Sequence, residues 1–223
     1  MKQTSIGLGI LLALSTMGAA HADTGMTVSL GTTGAGLHIS TQVGPKMNLR
    51  FGVNGLSNSQ EGNTDDVDYD FKLKLSTVDA LVDYFPMDGA FRISGGITYN
   101  GNKIEVNGRP SAGGTFTLND HVYPASVVGS LNGQANFRNV APYIGIGWGN
   151  AVAKDKGWGL SSDIGVLVQG SPKTALSNRG CTASAPICAQ IATDVAAENR
   201  ALQDETSDFK AYPVLRVGVS YKF

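Results

Sequence analysis

The last thirteen residues, AYPVLRVGVSYKF (211–223), alternate between apolar and polar with almost no exception. Leu215, Val217, Val219, Tyr221 and Phe223 fall on one face. Arg216, Gly218, Ser220 and Lys222 fall on the other. Successive side chains of a strand point to opposite sides, so this period of two demands a β-strand between two different solvents.

The pattern recurs along the chain. Met47, Leu49, Phe51 and Val53 oppose Asn48, Arg50, Gly52 and Asn54; Phe91, Ile93, Ile97 and Tyr99 oppose Arg92, Ser94 and Thr98. Val140, Ile144, Ile146 and Trp148 oppose Tyr143, Gly145 and Gly147, and Trp158, Leu160, Ile164, Val166 and Val168 oppose Ser161, Asp163 and Gln169. Leu37, Ile39 and Val43 oppose His38, Ser40 and Gln42. Seven segments read as strands: 34–43, 46–56, 68–85, 90–104, 136–149, 158–170 and 209–223. In 68–85 the apolar phase passes from Phe71, Leu73 and Leu75 to Val78, Ala80, Val82 and Tyr84, which predicts a bulge near 76–77. GMTVSLG (25–31) supplies an eighth, first strand, its slip of phase against 34–43 explained by a tight turn at 32–34 or equally by a bulge.

The N-terminus narrows the choice of solvents. Residues 1–22 carry a Lys near the start, an apolar stretch and a closing Ala20-His21-Ala22, which reads as a secretory signal peptide ahead of a single domain, 23–223. Beyond it no apolar run approaches the ~18 residues of a spanning helix. The exported chain is therefore soluble or a membrane barrel. Three features favour the barrel: small residues and glycine on the polar faces, aromatics near strand ends, and connections that alternate between short and long. The chain has 17 Lys plus Arg against 18 Asp plus Glu, which points away from a nucleic-acid partner.

With the signal peptide, alternating strands and a closing SYKF, the chain resembles the small outer-membrane β-barrel proteins of Gram-negative bacteria. The resemblance implies an all-β, antiparallel up-and-down transmembrane barrel of about eight strands in the bacterial outer membrane. Its partners would be outer-membrane lipid and the barrel assembly machinery, with Tyr221 and Phe223 as the assembly signal. Short turns would be periplasmic and long loops external.

An eight-strand barrel leaves room inside only for side chains. The inward faces carry Arg50, Arg92 and Arg216 with Asp79, Asp83 and Asp163, and buried charges need partners, so ion pairs closing the lumen are expected. Lys72, Lys74 and Lys222 share the inward phase and are expected at the rims. Cys181 and Cys188, in a compartment that permits disulfides, are expected to pair. Residues 105–134 and 171–208 read as long external loops, the first with a hairpin and the second with a short amphipathic helix at 188–204.

Chemistry is sparse. His38-x-Ser40 resembles the His-x-Ser of the barrel-shaped lipid A deacylases, but alternation turns both side chains to the lumen, and no acid is evidently placed to complete a triad. His121 has no metal-ligating neighbours in sequence. No catalytic residue, metal or cofactor is expected. The expected function is that of a structural or surface-interaction barrel acting through its external loops. A narrow transport barrel for small or hydrophobic solutes is the alternative, and a lipid A-modifying hydrolase a more remote one.

Overall fold

In the computed structural model, residues 23–63, 67–87, 89–110, 113–152 and 156–223 are described; the expected signal peptide lies outside them. The strands are β1 (Thr24–Gly31), β2 (Gly34–Gly44), β3 (Met47–Asn63), β4 (Val67–Tyr84), β5 (Phe91–Asn100), β6 (Lys103–Pro110), β7 (Thr115–Leu118), β8 (His121–Pro124), β9 (Ser130–Asn136), β10 (Val140–Trp148), β11 (Gly157–Val168), β12 (Lys173–Arg179) and β13 (Ala211–Lys222). Two helices join them, α1 (Ala125–Val128) and α2 (Ala185–Glu205). No helix among the described residues is long and apolar enough to cross a membrane.

Eight strands close a ring in the order β1-β2-β3-β4-β5-β10-β11-β13, each antiparallel to its neighbours, with β13 pairing back onto β1. The first strand is real: Gly31 pairs with Gly34 across a turn of two threonines, and Gly34 takes a φ of 94° that glycine adopts without strain. Closure leaves the ring itself without a free strand edge, the usual liability of a sheet.

The alternation of the sequence becomes inside and outside. Val28, Leu30, Leu37, Phe51, Val78, Ile97, Ile144, Leu160 and Val217 are exposed on the outer surface, Leu160 to 79% and Val217 to 67%. A continuous apolar belt of this kind is the surface that a bilayer covers. At the end where the chain termini lie, aromatic rings edge it: Phe91 pairs with Trp148, and Tyr221 packs edge-on against both Trp158 and Phe223. The connections 85–90 and 149–156 close the same end, with 88 and 153–155 outside the described residues.

The opposite end is where the sequence reading is corrected. Residues 105–134 and 171–208 do not form simple loops. Residues 67–74 of β4 rise above the ring and pair with β6, which pairs with β9, which pairs with β12. The expected bulge at 76–77 is absent as well: Asn54 pairs with Thr77 and Gly55 with Ser76 in unbroken register. The apolar phase inverts because the surroundings change, not the backbone. Below this point the outer face of β4 (Val78, Val82, Tyr84) belongs to the apolar belt. Above it the outer face carries Lys72 and Lys74, opposite Glu105 and Lys103, while Phe71 and Leu73 turn inward. Lys72 and Lys74 are therefore exposed beyond the ring, and only the inward phase expected of them is overturned.

A folded cap covers the inner face of this side sheet. α2 is longer than expected at 21 residues, and Pro186 in its first turn is pre-set for helix. Its Ile191 and Val195 pack with Phe116, Leu118, Ala125 and Val128. The expected hairpin is present as β7–β8, turning through Asn119 and Asp120, both at positive φ, the geometry that tight two-residue hairpins require. Cys181 and Cys188 are disulfide-bonded and tie the start of α2 to the cap.

Candidate functional site

Two features present themselves as sites: the lumen of the ring and the cap above it. In the lumen, three arginines meet three aspartates, all buried. Toward the terminal end, Arg50 from β3 donates through Nη1 to Asp163 Oδ2 (2.9 Å) and through Nη2 to Asp83 Oδ1 (2.9 Å). Arg92 from β5 donates to Asp163 Oδ1 (2.8 Å) and to the Gly149 carbonyl, and Ser94 Oγ donates to Asp83. Nearer the cap, Asp79 of β4 accepts from Arg216 Nη2 (2.8 Å), Asn54 Nδ2 (2.8 Å) and Thr98 Oγ1 (2.9 Å). The six residues singled out from the sequence thus lie in two clusters, one on Asp83 and Asp163 and one on Asp79. Cross-lumen bonds of this kind join strands that are not neighbours, which fixes the shape of the ring.

Sequence reading missed two parts of this interior. The first is an apolar layer: Leu81, Ala141, Tyr143, Leu167 and Val214 are buried together inside the ring. Leu81 was legible, because it shares its face with Asp79 and Asp83. The Tyr143 ring lies flat on the wall, where Gly145 and Gly165 leave space; a Cβ at either would stand 2.6 Å from its hydroxyl oxygen. The Arg216 guanidinium sits 5.8 Å from the centre of the same ring. The second is an acid for His38: Nε2 lies 3.3 Å from Asp79 Oδ2. His38 is 1% exposed and Ser40 is buried on the same lumenal face. The imidazole fits against Gly52, where no Cβ could stand. The His–Asp pair is thus a member of the lumen network and faces away from the apolar belt.

At the terminal rim, Lys222 is buried and pairs with Asp23 at 3.2 Å, so it is not simply hydrated as the sequence suggested. Tyr221 and Phe223 lie on the outer aromatic edge.

The cap has its own polar fastening. Asp194 of α2 is buried and accepts from Tyr123 Oη, Asn119 Nδ2 (3.2 Å) and Gln190 Nε2 (3.1 Å), with His121 Nδ1 at 3.1 Å. His121, which has no metal-ligating neighbours in sequence, thus helps to seat the β7–β8 hairpin on the helix. The Tyr123 hydroxyl holds the Asp194 carboxyl below the usual carboxylate range; burial opposes this, and Asn119, His121 and Gln190 reinforce it. A depressed carboxylate stabilises the fold above the unfolded value of about 3.9 and loses that contribution as pH falls through its lower folded value. Protection factors of α2 amides are expected to hold at pH 5 and fall by pH 2.5, and Asp194→Ala to be low at both. Wild-type protection that does not change between these pH values would contradict this role.

No protein-family model and no curated protein matches the chain. Solved structures do resemble it, among them two from Acinetobacter baumannii. Acinetobacter baumannii CarO matches at a TM-score of 0.57 with 24% identity, over 89% of this chain and 97% of that one. This chain has the CarO fold. Acinetobacter baumannii CarO2 matches at the same TM-score of 0.57 with 19% identity, over 92% of this chain and all of the other.

Proposed function

We propose that this protein is an outer-membrane β-barrel of a Gram-negative bacterium, plugged by its own side chains, that acts as a structural or surface-interaction protein through its external cap. The observation that carries the reading is the filled lumen, in which the Arg50–Asp163–Arg92 and Arg216–Asp79 clusters sit with the Leu81–Tyr143 layer. The apolar belt supports insertion in lipid, and the CarO likeness and the signal-peptide pattern support the outer membrane. Tyr221 and Phe223 would serve recognition by the assembly machinery. The disulfide fits an oxidising compartment.

The same interior argues against catalysis on lipid. His38 and Ser40 face a packed lumen, and His38 is engaged with Asp79, so an acyl chain in the bilayer has no approach to them. A narrow transport barrel is the rival reading, and conductance separates the two. Purified protein in planar bilayers is expected to give no steady single-channel current. Steady channels of reproducible conductance would favour transport and contradict the plugged lumen.

A further inference from the structure

The first half of α2 buries Ile191 and Val195 against the hairpin and the side sheet, whereas the second half is fastened at one edge, where Gln203 bonds to the Thr174 N–H and the Pro172 carbonyl. Between Leu202 of α2, Thr206 just past its end, and the inner face of β6, β9 and β12 lies a cleft of about 400 Å³. Its origin is in the sequence. Opposite Leu202 the sheet presents Gly108, Gly133 and Ala135, which leave the space that larger side chains fill nearer the start of the helix.

We propose that this cleft binds a neutral aliphatic molecule. Its size falls within the roughly 300–1,000 Å³ of small-molecule sites. Ile104, Val106, Phe116, Leu131, Leu176 and Leu202 dominate its wall, and no charged side chain lines it. Three hydroxyl-bearing residues line it, Tyr69, Thr174 and Thr206, and two of these hydroxyls spend their proton within the cap: Thr174 Oγ1 donates to Gln203 Oε1 (3.3 Å) and Thr206 Oγ1 to the Leu202 carbonyl (2.7 Å). The strand backbones behind it are paired in the sheet. An ionic head would find no counter-charge there, and a sugar or a peptide would surrender more hydrogen bonds to water than these few hydroxyls return. Water itself is a poor occupant of an apolar space, since it needs two to four polar partners there. Voids of this size are rare in a packed interior. A hydrocarbon loses nothing on entering and covers the exposed wall. The site does not depend on whether the lumen conducts, because it lies above the ring between the side sheet and α2.

Gly133 makes the test specific. A Cβ built there would lie 3.5 Å from Leu176 Cδ1 and 3.8 Å from the Val106 carbonyl, ordinary contacts, so a larger side chain enters the cleft without displacing backbone. Radiolabelled dodecanol is titrated into the full-length mature chain in lipid nanodiscs, with empty nanodiscs subtracted. Wild type is expected to show a saturable one-to-one component. Gly133→Leu is expected to weaken it at least tenfold, and Lys74→Ala, on the opposite face of the sheet, to leave it intact. Heat-modifiable gel mobility establishes that each variant is folded; Ala135→Leu fills the same cleft should Gly133→Leu misfold. Absence of a saturable component in wild type, or equal binding by the folded filled variants, would overturn the proposal.

Discussion

Asp163→Ala is expected to destabilise the ring by about 3–5 kcal/mol, the loss typical of removing one partner from a buried ion pair. Asp163 is where two arginines converge, with Arg50 and Arg92 each placing a guanidinium nitrogen within 2.9 Å of its carboxylate. Without it, both cations remain in a closed interior and share Asp83 alone, at 2.9 Å for Arg50 and 3.8 Å for Arg92. The large cost comes from the stranded charges and not from the net worth of the pairs, because burying an ion pair sacrifices hydration that the attraction barely recovers. A second substitution distinguishes these. Arg92→Ala combined with Asp163→Ala removes one cation with the anion, and the double variant is expected to lose less than the sum of the singles. Urea midpoints in lipid vesicles, read by heat-modifiable mobility, measure both. Simple additivity would mean that the two residues do not act as one unit.

Val217→Arg carries the second large effect. Val217 lies midway along β13 in the apolar belt, paired with Leu30 of β1. A lysine or arginine on the lipid face near the bilayer centre costs roughly 2–4 kcal/mol in membrane barrels. Lys74 also points outward, yet it stands above the ring on the side sheet, among Lys72, Lys103 and Glu105. Lys74→Ala is expected to change stability by less than about 0.5 kcal/mol, as surface substitutions ordinarily do. The same vesicle titration reads both variants. Equal tolerance of charge at 217 and 74 would mean that the two positions share one solvent.

The ring was legible in the sequence because each of its strands separates two environments along its whole membrane-facing length. Leu215, Val217 and Val219 against Arg216, Gly218 and Ser220 mark a strand with one apolar and one polar face. The side sheet was not legible for the opposite reason. SLNGQAN (β9) contributes Leu131, Gly133 and Ala135 to the inner face and Gln134 and Asn132 to the outer, too weak a contrast to mark a strand. It is a strand because β6 and β12 offer it edges on both sides, a relation between distant segments that local pattern does not carry. The supposed bulge at 76–77 failed through one assumption, that an apolar face keeps the same solvent from end to end. The charge clusters were legible as residues with the right phase, but their partners were not. Asp79 gathers groups from β2, β3, β5 and β13, a convergence that only closure of the ring creates.

One continuous strand, β4, passes from water to lipid without changing its geometry. Single cysteines along its outer face test this directly, the native pair being oxidised. In intact vesicles, cysteines at positions 72 and 74 are expected to react with a membrane-impermeant maleimide, and those at 78 and 82 to resist it. A bilayer-resident quencher acting on cysteine-linked fluorophores is expected to give the reverse order. Equal maleimide reactivity at 74 and 82 would contradict the account.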